Sequence, residues 1–598
     1  MFNIPTILIT LFLIAGIYFV FSPAMTYDFV YYDEQLQIIS NPLAKSLQWQ
    51  NIVDIFSSFC ICSYYPIRLL SFAIDYHFWG NNPKGYHITN IVIHTINVVL
   101  LFYLLVRLSK LQQTHSLSNL RQSHYNNMFL VVIFGAILVF AIHPVVVEPV
   151  VWIGGREELL MMLFAFGAMH SWLSQHNNRF KPFTYSITFM FCVLSCLSSI
   201  FGCLIPSVLL AFEIIFRKNQ SLTRIFLKIL PMFFIGGISI VLKEIGYIIF
   251  ANSNLQIPSE TSINNTNSVA EQAVSSIFIQ RILIVFSTYW LNLKTLIWPT
   301  KLTLIYNKFI PENIYSTEVI MGLLGIIFIF VYAYLVRKNK IQLFGIFWFI
   351  IGLLPSSQIV PNHIPRADRF LYFSVAGLTM IFSPMFASLN RLYGKIVFVI
   401  FIFILCALGL LTGRQITTWY DSISVFKHCL NINKNDYTAF CNLGLYLHDF
   451  GDISQAEKYI KTAIRLKPDS DSAYNTLGKI LYRKKDYYKS IEAFLRALDL
   501  SPEDTQIRTR LSMVLTETGN YKEALRHLQE ALSIDPNNSN VHDCMGAVFV
   551  ERKDYEKAIH HFQKATKLDP HNHSAHHNLA YALAKQETIV EKGEETTK

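Results

Sequence analysis

Asp28-Phe29-Val30-Tyr31-Tyr32-Asp33-Glu34 follows directly on an apolar run from Ile4 to Phe21. A run of that length reads as a membrane span. It lacks the basic start and small-residue cleavage site of a signal peptide, so it is expected to be retained as a first helix. The acidic pair Asp33-Glu34 is then expected just outside the bilayer. Two adjacent carboxylates there are costly unless they bind a cation, pair with a base or take up a proton. Taken alone, the pair also fits a solvated acidic loop. What decides between the two, and decides the fold, is how many later segments return polar residues to the same side.

The 598 residues are 52% hydrophobic and 15% charged, with 47 Phe and 30 Tyr. Soluble chains average about 25% charged. Residues 1 to about 415 hold the apolar runs, and the rest reads as an ordinary soluble domain. Composition therefore predicts a polytopic membrane protein with a soluble C-terminal part. The net charge of +10 is explained by short basic loops beside apolar helices. No stripe of basic residues interleaved with aromatics points to nucleic acid. The nine Cys form no CxxC pair, and several (Cys192, Cys196, Cys203, Cys406) lie inside apolar runs, where Cys behaves as a small hydrophobe.

Apolar runs recur at about 4–22, 86–106, 128–142, 159–173, 184–198, 201–216, 229–250, 316–336, 341–355, 372–389 and 396–412. Basic residues fall in every second gap: Arg107, Lys110 and Arg121, then Arg179 and Lys181, then Arg217, Lys218 and Arg224, then Arg337, Lys338 and Lys340, then Arg391 and Lys395. The positive-inside rule gives one consistent topology of about eleven spans, with a cytoplasmic N-terminus and the C-terminal domain on the opposite side. Ile277 to Trp298 contains Arg281 and Lys294 and is expected as an interfacial or re-entrant helix on the outer side.

The outer loops collect the polar residues. The first, about 23–85, holds Asp33-Glu34, Asn41-Pro42 and Tyr64-Tyr65-Pro66-Ile67-Arg68. The second runs from His143-Pro144 through Glu148 and Trp152 to Arg156 and Glu158. Trp298-Pro299 with Tyr306 follows, and then Pro361 to Phe370 with Asp368-Arg369. Each loop has a bland reading alone: His143-Pro144 ends a helix, and Asp368-Arg369 is a loop charge pair worth little. Together they place carboxylates, His and Arg on one membrane face. In the second span, His87, Asn90, His94 and Asn97 are spaced 3, 4 and 3 apart and share one helical face. That face suits either interhelical hydrogen bonding or a place in the site.

In the C-terminal part, Pro468, Pro502, Pro536 and Pro570 recur every 34 residues, as do Ala463, Ala497, Ala531 and Ala565. Gly444, Gly478 and Gly546 keep the period, with Ser512 in the remaining slot. This is the tetratricopeptide (TPR) pattern. The expectation is an all-α chain: a transmembrane helix bundle over 1–415, a connector over 416–434, and a TPR α-solenoid over 435–586. The solenoid comprises four repeats from about Asn435 to Pro570 and a capping helix from His571 to about Lys585, followed by a disordered tail over 587–598. His560, His561, His573, His576 and His577 are read as lying on a solvated helix pair and its loop rather than as a metal site.

These residues carry a resemblance. The chain resembles the GT-C class of membrane glycosyltransferases that end in TPR repeats, a group that includes the transmembrane-and-TPR O-mannosyltransferases and bacterial relatives. The likeness runs through Phe29 to Glu34 with Asn41-Pro42, and through Gly85-Tyr86-His87-Ile88-Thr89-Asn90 with His94. It continues through His143 to Glu148 with Arg156, Trp298-Pro299-Thr300-Lys301-Leu302, Ala367-Asp368-Arg369-Phe370, Arg414 and Trp419-Tyr420-Asp421.

The resemblance implies an inverting transfer of a mannose-like sugar from a polyprenyl- or dolichyl-phosphate donor to a protein acceptor recruited by the TPR array. Carried over, Asp33 is the catalytic carboxylate, as general base or as ligand of a divalent cation (Mg2+ or Mn2+), and Glu34 shares that task. Arg156, Arg369 or His143 would steady the lipid phosphate. His87, Glu148 and Asp368 complete the expected substrate-binding set. The detailed form of the first loop favours a bacterial inner membrane with a periplasmic array. In a eukaryote the array would be lumenal in the endoplasmic reticulum, with sequons at Asn264, Asn537 and Asn572 available. Two departures stand out. Asp33-Glu34 replaces a pair of Asp, and Ser199 stands where the family carries Lys. The missing cation keeps a second reading open, a non-catalytic membrane-anchored TPR scaffold. A transporter is weaker, because no inverted repeats or paired helix breaks are visible.

Overall fold

Backbone that crosses lipid must satisfy its own hydrogen bonds, and long apolar runs free of alternation do so as helices. The computed structural model describes residues 4–59, 64–113, 122–175, 181–217, 221–252, 273–306, 310–311, 313–359, 364, 366–570 and 572–595. It is all-α over these residues. Arg121, Arg179, Lys218, Asn264, Pro361 and His571 lie outside them. Among the described residues the chain divides into two compact units, one running to Ile432 apart from Asn252, and the other from Asn433 on together with Asn252.

Among the described residues of the first unit, five helices are long and apolar enough to cross a membrane: Ile4–Thr26, Pro83–Gln112, Leu222–Gly246, Thr317–Leu335 and Ile396–Thr417. A sixth forms if the bent pair Leu130–Ile142 and Pro144–Val151, which turns by 49°, is one span. Pro182–Cys196, Ile200–Phe216 and Lys340–Leu353 are apolar but shorter. The chain is an integral membrane protein, and among the described residues five or six helices reach full span length, fewer than the eleven apolar runs. Phe328 and Phe330 on one span and Ile396 and Phe403 on another stay exposed, as lipid-facing residues should. Ala273–Ile297 is a single 25-residue helix. It packs along Thr317–Leu335, where a Cβ on Gly322 would fall 2.0 Å from the Phe286 carbonyl oxygen. Lys340–Leu353 packs equally closely on Tyr372–Thr417, through Gly345 and Gly377.

The expected connector is ordered and belongs to this first unit. Trp419 is buried, and Ser422–Ile432 is a helix whose Ser422 hydroxyl accepts the Tyr31 N–H at 2.8 Å.

The second unit is four helix pairs and a final helix. The pairs are Tyr437–Asp449 with Ile453–Leu466, Asp471–Arg483 with Tyr487–Leu500, Thr505–Glu517 with Tyr521–Ile534, and Ser539–Glu551 with Tyr555–Leu568. The periodic Ala463, Ala497, Ala531 and Ala565 are fully buried. A Cβ on Gly478 would stand 2.7 Å from the Phe494 ring, so the small residue permits the helix crossing. The final helix runs His573–Glu595. It extends through most of the stretch expected to be disordered.

Candidate functional site

Glu34 sets the acidic loop. Its Oε2 accepts the Val30 N–H at 2.6 Å and its Oε1 accepts the Gly154 N–H at 3.1 Å. The loop is thereby tied to the turn that opens the Arg156–Leu173 helix. Burial pushes the Glu34 carboxyl up to about 8 in spite of these donors. Glu34 is therefore a structural anchor and does not present its oxygens as Asp33 does.

Asp33 keeps part of its surface accessible. Among the described residues no donor bonds its carboxylate. Burial raises its pKa, the Arg369 and Arg68 guanidinium groups pull it back, and the Glu157 carboxylate adds to the rise. Arg68 pairs with Glu157 at 2.5 Å and lies over the Tyr65 ring.

Arg369 is 5% exposed. Its Nη1 pairs with Glu148 Oε1 at 2.5 Å, and its backbone N–H reaches Glu148 Oε2 at 3.0 Å. Burial opposes its charge, but the Glu148 carboxylate outweighs that and holds the guanidinium above its ordinary pKa. The guanidinium lies 5.0 Å from the Trp152 ring centre, and Trp152 stacks on Trp419. Arg369 Nε, Trp152 Nε1 and Trp419 Nε1 are all buried without an acceptor. Asp368 accepts the Tyr306 hydroxyl at 2.6 Å. Burial and the Glu148 carboxylate hold it well above the usual carboxylate range.

The other expected residues are engaged elsewhere. Arg156 is fully buried and pairs with Asp75 at 2.6 Å. It also donates to Asn90 Oδ1, to the Ser71 carbonyl and hydroxyl, and to the Tyr86 carbonyl. No donor remains for a phosphate, so the expected phosphate role does not fit Arg156. His143 caps a turn: Nδ1 accepts the Val145 N–H at 3.2 Å, and Nε2 reaches the Leu296 carbonyl at 3.0 Å. It too lacks a free nitrogen. His87 is buried against the backbone of Tyr27 and Val151 without well-formed hydrogen bonds.

Asn90, His94 and Asn97 do bond between helices, to the Trp152 carbonyl, to the Tyr372 hydroxyl and to the Leu159 carbonyl. Of the two readings of that polar face, this is the interhelical one. Ser199 donates to the buried Glu158 at 3.4 Å, so the position where the family carries Lys faces that carboxylate.

The structure thus gathers Asp33, Glu148, Asp368 and Arg369 with Arg68, Glu157, Trp152 and Trp419. Sequence reasoning missed the last four as site residues. Among the described residues, no group of three or more His, Cys, Asp or Glu is arranged to hold a metal ion. Glu34 is bound to backbone amides, so the expected Asp33-Glu34 cation pair does not fit as a ligand set.

A family model, the cytochrome c-type biogenesis protein H TPR domain, matches residues 452–576. Over 74% of its length the chain is 26% identical to "Protein O-mannosyl-transferase F38B6.6" of Caenorhabditis elegans, covering 60% of that protein. Over 69% it is 22% identical to "Protein O-mannosyl-transferase TMTC3" of Mus musculus, covering 45%. Over 67% it is 26% identical to "Protein O-mannosyl-transferase TMTC4" of Mus musculus, covering 57%. The chain thus spans about half the length of the curated relatives it matches. Among solved structures, MamA is 22% identical with a TM-score of 0.23, covering 25% of this chain and 87% of that one. The TPR protein YrrB is 20% identical with a TM-score of 0.24, covering 32% and 96%. The chain is a transmembrane-plus-TPR protein similar to proteins named O-mannosyl-transferases.

Proposed function

We propose that this chain is an integral-membrane glycosyltransferase. It moves a mannose-like sugar, with inversion, from a polyprenyl- or dolichyl-phosphate donor to a hydroxyl of a protein recruited by the TPR array. The observation that carries this reading is the pairing of opposites at one place. An unbonded carboxylate, Asp33, feels the charge of an arginine that keeps an unpartnered Nε.

Asp33 takes the proton of the acceptor hydroxyl as its oxygen attacks the anomeric carbon. The bond from that carbon to the phosphate oxygen breaks, and the lipid phosphate leaves. Arg369 holds the departing phosphate through Nε, while Glu148 fixes the other side of the guanidinium. A base with a raised pKa holds a proton better near neutral pH, which suits this role. Glu34 and Arg156 position the loop and the helix that bear the site. The active face is placed outside the cytoplasm, in a bacterial inner membrane with the repeats in the periplasm or, in a eukaryote, in the endoplasmic reticulum with the repeats in the lumen.

Ser199 favours a second reading, a scaffold without transfer, because it leaves the buried Glu158 without the cation that the family supplies.

Asp33→Asn separates the two. Purified protein in nanodiscs is given a panel of polyprenyl-phosphate sugars with an acceptor peptide mixture. Transfer by the wild type, reduced about 10²–10⁴-fold in the variant at unchanged thermal stability, is expected. Equal behaviour of the two proteins on every donor would replace the enzyme with the scaffold.

A further inference from the structure

Four arginines of the membrane unit close on a carboxylate: Arg68 on Glu157, Arg156 on Asp75, Arg217 on Glu213 and Arg369 on Glu148. Arg366, three residues before Arg369 on the same loop, forms no ion pair among the described residues. Burial opposes its charge, yet the groups that hold it are neutral. Its Nε donates to Asn292 Oδ1 at 3.1 Å, and its Nη2 donates to the Leu291 carbonyl at 3.1 Å and the Thr295 hydroxyl at 2.8 Å. The guanidinium lies 4.5 Å from the Tyr306 ring centre. Its partners are themselves fixed. Asn292 donates to the Ser356 hydroxyl at 3.0 Å, and the Thr295 hydroxyl donates to the Leu291 carbonyl at 2.9 Å.

One edge of the fork is left over. Arg366 Nη1 has no hydrogen-bond partner among the described residues and, unlike Arg369 Nε, is not buried. A guanidinium fixed on one edge by neutral acceptors and open on the other keeps its charge available to an anion, with little side-chain freedom left to lose.

The open edge belongs to the site. Asp368 accepts the Tyr306 hydroxyl at 2.6 Å and feels the charge of both Arg366 and Arg369. Arg369 in turn acts on Asp33. The loop thus carries two guanidinium groups, one with Glu148 as its counter-ion and one without. The proposed transfer calls for such a charge at one moment. A lipid-phosphate sugar is a phosphodiester with a single negative charge. When the bond to the anomeric carbon breaks, the phosphate oxygen keeps the electron pair and the acceptor proton passes to Asp33. The lipid leaves as a phosphate monoester, which carries about −1.5 to −2 near neutral pH.

We infer that Arg366 reads this change: its open edge takes the charge that the lipid phosphate gains, so the site holds the monoester product more tightly than the diester donor. The inference rests on the transfer proposed above and assigns that site a second phosphate contact with a task of its own. A contact that strengthens as charge develops favours bond cleavage over tighter binding of the donor.

The test measures binding without transfer. Full-length protein in nanodiscs is titrated near pH 8 with farnesyl monophosphate and with its methyl diester, by calorimetry against empty nanodiscs. The wild type should hold the monoester roughly tenfold more tightly. Arg366→Gln should bind the two esters alike, and Arg366→Lys should keep part of the preference. Lys338→Gln, at an exposed position on another loop, should keep all of it. Equal binding of the two esters by the wild type, or binding of neither, overturns the proposal even where Arg366→Gln does not fold. A folded Arg366→Gln that still prefers the monoester overturns it too. Inorganic phosphate that binds as tightly as farnesyl monophosphate would make this a site for free anions, and overturns it as well. Sugar transfer by a wild type without the preference removes this role of Arg366 alone. The preference without any transfer removes the glycosyltransferase reading and leaves Arg366 as a phosphate contact.

Discussion

Arg156 and Arg369 both come from outer loops, both are buried, and both lie over aromatic rings. They differ in what is left over. Arg156 has an acidic partner, Asp75, and four further hydrogen bonds that engage each of its nitrogens. Arg369 has Glu148 on one side and an orphaned Nε on the other. A buried donor without an acceptor costs on the order of 1–3 kcal/mol, and natural folds seldom keep one without a use. Two arginines that look equivalent as sequence positions therefore differ in the structure: one is a fully engaged staple, and the other keeps the unpartnered Nε proposed above to hold the donor phosphate.

The largest effect should come from breaking the staple. Arg156→Met leaves the Asp75 carboxylate buried without its cation, at a cost of about 3–5 kcal/mol. Thermal unfolding in detergent should fall steeply. Near-normal stability would mean that Arg156 is not the staple. Arg369→Lys should show the opposite pattern. The ammonium keeps the Glu148 pair but loses the second edge of the fork. Thermal stability should stay close to wild type. The apparent affinity for the lipid-phosphate donor should drop roughly 10–100-fold, as expected for one charge-assisted contact. Loss of stability with unchanged donor affinity would reverse the assignment.

This contrast lay outside the reach of the sequence for a physical reason. The 34-residue period survives in one dimension because each repeat contacts mainly its neighbours, so the positions of Ala463, Gly478 and Pro502 read directly as structure. The membrane unit is held by contacts far apart in the chain: Glu148 with Arg369, Asp28 with Tyr420, Tyr31 with Ser422. Spacing says nothing about those. Asp33, Glu148 and Arg369 could be picked as candidates from their loops. Which arginine keeps a free edge depends on Asp75, Asn90 and Ser71, none of which announces itself as a partner. The number of spans is hard to read from hydropathy for a related reason. Helices such as Lys340–Leu353 are too short to pass as full spans and bury much of their surface against neighbours.

The finest distinction within the acidic pair is a matter of pH. Glu34 lies close enough to Arg156 to support its charge, yet its carboxyl stands at about 8 because burial outweighs the amides that bond it. Unfolded, the same group titrates near 4.5. A pKa raised by folding means that the native state holds the proton more tightly. The stabilisation is fully present below pH 4.5 and is lost as pH rises toward 8. Glu34→Gln removes this titration while keeping one acceptor oxygen. The variant should lie within about 1 kcal/mol of wild type at pH 5. Between pH 5 and 8.5 the wild-type melting temperature should fall relative to the variant, on the order of 5 °C. Parallel melting curves across that range would instead mean that Glu34 is ionised throughout. Its charge would then belong to the Arg156 staple and not to a neutral anchor beneath Asp33.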